Sequence, residues 1–132
     1  MMKFIPPKVA ALTLMTCLVF LMLFHLLVAL GILPGDIVWG GTMEGDAVVK
    51  YELAAFFITG FLLFIAIIKG GYVPSRFLKI AGNILIWPML LYFAFMIFGN
   101  LTAKSVIEKA IFIPLSALMF LSSLPLALNP TR

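Results

Sequence analysis

His25, Glu52 and Glu108 stand out because each lies within or at the edge of a long apolar run, where ionisable side chains are rare and functional when they occur. One imidazole and two carboxylates on three separate segments have the makings of a proton or ligand site. A neutral histidine can donate from one ring nitrogen to a carboxylate while the other carries a proton or meets a ligand. The same set has the composition of a metal site, but no H-x-x-x-H or E-x-x-H spacing accompanies it, so no metal is expected. No nucleophile sits beside a base, and no cofactor motif is present, so neither a catalytic residue nor a cofactor is assigned.

Each residue also has a plainer reading. Glu52, near a helix start, could be held by the helix dipole and reach up to water. Glu108 closes Ser105-Val106-Ile107-Glu108, which fits the S-x-x-E capping box. His25 could be a hydrogen-bonded structural histidine.

The elements that must position these residues follow from composition. The chain has 132 residues, 64% hydrophobic and 11% charged, against soluble averages of roughly 45–50% and 25%. Four stretches, 9–35, 53–68, 80–103 and 110–131, contain no Asp, Glu, Lys or Arg. A bilayer core of about 30 Å takes about 20 helical residues to cross, and hydrocarbon offers the backbone no hydrogen-bond partner, so these runs are expected to be helices. Their lack of period-2 alternation argues against a barrel. The expected fold is an all-α, polytopic four-helix bundle, one unit over 1–132, with helices near 7–30, 47–69, 76–98 and 105–128 and an outer loop at 31–46.

The first run is too long for a secretory h-region and lacks a small-x-small cleavage site, so it is read as a helix. Cys17 is the only cysteine, which excludes an internal disulfide or a CxxC redox pair. Pro6-Pro7 suits the first turn of helix 1, and Gly31 with Pro34 stops it. Asp46, Ser75 and Ser105 are expected N-caps; Gly70-Gly71, Gly99-Asn100 and Asn129-Pro130 are expected stops. Pro88 and Pro114 should bend helices 3 and 4, freeing carbonyls near Ile84 and Ala110.

Basic residues set the expected orientation. Lys3, Lys8, Lys69, Arg76, Lys79 and Arg132 fall on one side and Lys50, Lys104 and Lys109 on the other, which puts both termini in the cytoplasm. All five acids, Asp36, Glu44, Asp46, Glu52 and Glu108, fall on the outer side. The run 53–68 is short, about 24 Å of helix, and so draws Glu52 some 4–5 Å below the outer boundary, while His25 lies about 7 Å below it. On the stripe of Glu52 lie Ala55, Thr59 and Ala66, suited to close helix contact. Asn83, Ser116, Ser123, Thr13, Thr16 and Cys17 read as groups that hold helices together. Asp36, Trp39 and Asn100 would form the rim of an outer site, with Trp39, before Gly40-Gly41, as its lid.

The segments Val38-Trp39-Gly40-Gly41, Phe98-Gly99-Asn100-Leu101 and Glu108-Lys109 resemble a pattern in small bacterial four-helix membrane proteins with no assigned activity. The resemblance implies a bacterial inner-membrane location and no particular chemistry. Small multidrug transporters also place four helices in little more than a hundred residues, but they carry an acid in helix 1, which this chain lacks. Disulfide-forming and quinone-linked families need cysteine pairs.

The expected function is therefore a non-enzymatic bundle that binds a small solute, lipid or partner protein through an outer polar layer of His25, Glu52 and Glu108. Proton-coupled transport by a homo-oligomer is the alternative, and a membrane-embedded enzyme using one carboxylate as general acid or base comes third. Membrane lipids, a second copy or another membrane protein are the expected partners. Nucleic acid is not, because the net charge of +4 comes from helix-flanking residues and not from a basic patch.

Overall fold

A computed structural model describes residues 5–37, 45–103 and 105–132. It contains α1 (Pro7–Ala29), α2 (Asp46–Lys69), α3 (Arg76–Leu101) and α4 (Val106–Leu128), with a 3-10 turn at Gly35–Ile37 after α1. At 23 to 26 residues the helices are about 35–39 Å long, and all four are long and apolar enough to cross a membrane. The chain is thus all-α and has the makings of a multi-pass membrane protein. Trp39, Glu44 and Lys104 lie outside the described residues, as does Lys3.

Two helices end on the same device. Gly31 and Gly71 adopt φ of 78° and 84°, the left-handed region that glycine enters without strain. The N–H of Gly31 then donates to the Val28 carbonyl and that of Ile32 to Leu27; Gly71 and Tyr72 repeat the pattern onto Ile68 and Ile67. These Schellman caps satisfy carbonyls that the helix itself leaves open. Ser75 and Ser105 cap α3 and α4, their hydroxyls accepting from the N–H groups of Leu78 and Glu108.

Two expected boundaries are corrected. Gly45, with φ of 63°, occupies the N-cap of α2, and Asp46 is the first helical residue, where its charge still favours the helix start. Helix α3 does not stop at Gly99-Asn100; it runs to Leu101, and Thr102 Oγ1 accompanies the turn by donating to the Gly99 carbonyl at 3.0 Å. Pro88, Pro114 and Pro125 all sit inside continuous helices.

Packing follows chain order. Helix α1 lies chiefly against α2 and α3 against α4, while α1–α4 and α2–α3 contacts close the ring. Hydrogen bonds join the end of α1 to the start of α2, the end of α2 to the start of α3, and the end of α3 to α4. The helices therefore run up, down, up, down, and both described chain ends lie at one end of the bundle, called here the terminal end. The other is the loop end. Leu14, Leu18, Ile65, Ile86, Met89, Phe93 and Met119 form the core between them, each no more than 2% exposed.

Helix α3 packs tightly against α2 at Gly82, where a Cβ would stand 2.6 Å from Ile68 Cγ2. Ile68 is β-branched and buried, so it cannot swing aside. Gly99, in the same helix, faces open space, and a Cβ added there would meet no neighbour within 4 Å. Gly82→Ala should destabilise the bundle by about 1–3 kcal/mol through overpacking, and Ile68→Ala should relieve that strain in the double variant. Gly99→Ala should be neutral or stabilising by about 0.5 kcal/mol. Steric-trapping unfolding in bicelles measures all three.

Candidate functional site

Glu52 is on the inward stripe of α2, in line with Thr59 and Ala66, and has no exposed surface. It does not reach up to water. The group that meets it is His25, four residues before the Ala29 end of α1, whose Nδ1 lies 2.6 Å from Glu52 Oε2. Two lone pairs at that distance would repel, so a proton lies between them. Either Nδ1–H donates to the carboxylate or a carboxylic O–H donates to Nδ1. With the proton on Nδ1, the other ring nitrogen is the imidazole's second site for a proton or ligand.

The pair is held from the side by aromatic packing. Phe24 meets the His25 ring nearly edge-on at 6.0 Å and the Phe112 ring of α4 at 5.0 Å. One turn before Phe112 on the same buried face of α4 is Glu108, 9% exposed. The Ser105 half of the capping box is present, since Glu108 N–H donates to Ser105 Oγ at 3.2 Å. Helices α1, α2 and α4 thus carry the three sequence-predicted residues into the loop-end interior, with direct contact between His25 and Glu52.

The expected rim is only partly at the rim. Asp36 is exposed on the 3-10 turn. Asn100 instead engages α4, donating from Nδ2 to Ser116 Oγ at 3.1 Å, which ties the end of α3 to a fully buried hydroxyl. Trp39, the expected lid, lies outside the described residues.

A cavity of about 380 Å³ opens at the loop end, lined by Val28, Leu33, Pro34, Asp36, Val48 and Val49 among others. Val28 is three residues beyond His25 on α1, and Val48 is four residues before Glu52 on α2. Both valines are buried, at 3% and 7% exposure. The cavity therefore sits one helical turn above the His25–Glu52 pair along the same α1–α2 seam, with the valines between. Its walls mix apolar side chains with polar backbone, and Asp36 supplies a carboxylate. Among the described residues, no three His, Cys, Asp or Glu side chains are grouped to hold a metal ion.

A second polar cluster, at the terminal end, is one that sequence reasoning missed. Lys69 is only 5% exposed, and its Nζ donates to Asn83 Oδ1 at 2.6 Å and to the Asn129 carbonyl at 3.1 Å. Asn83 in turn donates from Nδ2 to the Thr131 carbonyl and accepts from the Thr131 N–H. The residues after α4 fold back over α2 and α3, and Lys79 Nζ reaches the Arg132 carbonyl at 3.0 Å. Lys69 and Asn83 were visible in the sequence as an orienting charge and a helix-holding amide. Nothing local marked their partners, which are backbone groups some fifty to sixty residues away.

A double-mutant cycle on His25→Ala and Glu52→Gln, read by the same unfolding assay, should give a coupling energy of about 1–3 kcal/mol, as for a charge-assisted hydrogen bond in a membrane interior. Additive losses would show that the two side chains do not interact. No protein-family model, curated protein or solved structure matches the chain.

Proposed function

We propose that the chain is a non-enzymatic membrane bundle that binds a small organic cation in the loop-end cavity above His25 and Glu52. The observation that carries this reading is the position of the cavity on the α1–α2 seam, one turn from a buried, proton-sharing pair. Its volume of about 380 Å³ falls in the range of small-molecule sites. The apolar side chains in its wall, its polar backbone and one rim carboxylate suit an alkylammonium, whose charge Asp36 would meet and whose methyl groups the valines would cover.

Charge supports the orientation and the ligand sign together. Lys8, Lys69, Arg76, Lys79 and Arg132 belong to the terminal end, whereas Asp36, Asp46, Glu52 and Glu108 belong to the loop end with Lys50 and Lys109. The positive-inside rule supports a terminal end that faces the cytoplasm, with the cavity on the outer side of a cell membrane. The bacterial inner membrane is the location that the sequence resemblance favours. An acid-rich outer end raises the local concentration of cations.

The shared proton favours one further reading, proton-coupled transport by a homo-oligomer, with His25 and Glu52 as the proton carrier.

Methylammonium and choline are the probes. Either should raise the thermal unfolding midpoint of the purified protein by a few degrees at concentrations well above its Kd. The rise should vanish in Asp36→Asn and in Val28→Phe, which fills the cavity, and diminish in Glu52→Gln. An unmoved midpoint in the wild-type protein, or the same rise in all three variants, rejects the cavity as the site. Vesicles containing the protein and a lumenal pH dye separate binding from transport: a pH change driven by the added cation supports the transport reading, and its absence alongside the thermal shift supports binding alone.

A further inference from the structure

The helix least covered by its neighbours is α3. Four of its 26 residues are buried, Gly82, Ile86, Met89 and Phe93, against eight or nine in each of the other helices. Its open face carries Phe77, Ile80, Ile84, Trp87, Leu91 and Phe98, all at least 50% exposed. Their spacings of three, four, three, four and seven residues follow the a and d positions of a heptad, the period at which two helices meet along a straight seam.

An apolar face in a membrane can be covered by lipid, so the seam alone decides nothing. The polar groups on it do. Trp87 stands eleven residues from the start of α3 and fourteen from its end, about 17 and 21 Å, which puts it deep in a hydrocarbon layer of about 30 Å. Tryptophan ordinarily sits at the membrane boundary, where its N–H finds an acceptor. Here the ring is half exposed, and no described residue accepts from its indole N–H. One turn earlier, the Ile84 carbonyl lacks its helical donor because residue 88 is proline. Ile84 and Pro88 are both exposed, so donor and acceptor lie on the same open face.

Lipid tails can satisfy neither group, whereas a second copy of the chain can satisfy both. Copies inserted in the same direction and related by a two-fold axis along the membrane normal place every residue at the depth of its own counterpart. A helical side chain leans toward its helix N-terminus, and a helix carbonyl points toward the C-terminus. The indole of Trp87 and the carbonyl of Ile84 therefore converge on one depth from opposite directions. The donor of each copy meets the acceptor of the other.

We propose that α3 is the homodimer interface of this protein, packed parallel against α3 of a second copy along the heptad seam, with each Trp87 indole N–H donating to the Ile84 carbonyl opposite. The proposal is independent of what the loop-end cavity binds.

The test uses full-length protein in vesicles of phosphatidylethanolamine and phosphatidylglycerol, where its own copies are the only protein partners. In a Cys17→Ala background, Leu91→Cys on the seam and Val19→Cys on the exposed face of α1 are oxidised under the same conditions, and dimerisation is measured separately by energy transfer between labelled copies. Disulfide dimer should dominate for Leu91→Cys and stay at the collision level for Val19→Cys. Trp87→Phe, which keeps the ring and deletes the N–H, should raise the dimer dissociation constant about tenfold. Trp87 is at the surface of the monomer, so folding of the variant is checked by helical circular dichroism and expected unchanged. Equal crosslinking at the two cysteines, or a Trp87→Phe dissociation constant equal to that of the wild type, overturns the proposal.

Discussion

Hydrocarbon offers neither donors nor acceptors of hydrogen bonds, and every level of this bundle answers to that constraint. The backbone meets it by forming four helices and by closing α1 and α2 with identical glycine caps, where Gly31 and Gly71 let the chain turn back onto its last carbonyls. Side chains meet it by facing inward. On α2 the polar stripe of Glu52 and Thr59 is buried, and on α4 the stripe of Glu108, Ser116 and Ser123 is buried while Ile107, Leu118 and Leu121 face out. Among the described residues, no buried side-chain nitrogen or oxygen lacks a partner.

The two ends of the bundle satisfy the constraint with opposite chemistry. At the loop end the buried group is an acid, and a histidine completes it across one helix interface. At the terminal end the buried group is the Lys69 ammonium, and it is held by neutral oxygens, from Asn83 and the Asn129 backbone. An ammonium among neutral oxygens relies on several donors and acceptors at once, so the last residues must stay folded over α2 and α3 to keep it solvated. Gly82 makes this geometry attainable, because its missing side chain lets α3 approach Ile68 beside that lysine. The terminal end is thus a fastening. At the loop end the described residues leave a cavity above the buried pair.

The four helices were legible because length and charge-free runs depend only on the chain itself. Ser75 and Ser105 could be placed as caps for the same local reason. Burial of Glu52 was less legible: the short apolar run gave its depth, but whether a residue at that depth faces water or the interior depends on rotation of the helix, which packing decides. The contact with His25 is a relation between two helices, and their sequences indicated similar depth without fixing the facing. Asn100 shows the limit most clearly. Its place next to the stop-like Gly99 suggested a rim, yet α3 continues past both residues and turns the amide into α4. The Lys69 cluster was only half visible, because beyond the Asn83 amide its partners are backbone groups of Asn129 and Thr131, which no side-chain pattern encodes.

Between the two polar ends the bundle is closed. Leu18, Ile65, Ile86, Met89, Phe93 and Met119 fill the middle with almost no exposed surface. Two of the buried hydroxyls bond back into their own helices, Thr59 to the Ala55 carbonyl at 2.7 Å and Ser123 to the Met119 carbonyl at 2.6 Å, while Ser116 accepts from Asn100 of α3 on the loop-end side. A proton or solute arriving at His25 and Glu52 from the loop end would meet packed hydrocarbon before it reached Lys69. Passage through a single copy would require that packing to open, which close-packed interiors resist. Binding at the loop end asks for no such opening, and it is this contrast between a cavity at one end and a sealed middle that ranks binding ahead of transport. A transport cycle would have to route its path along a surface shared with another copy, and α3 is the helix whose open face leaves room for one.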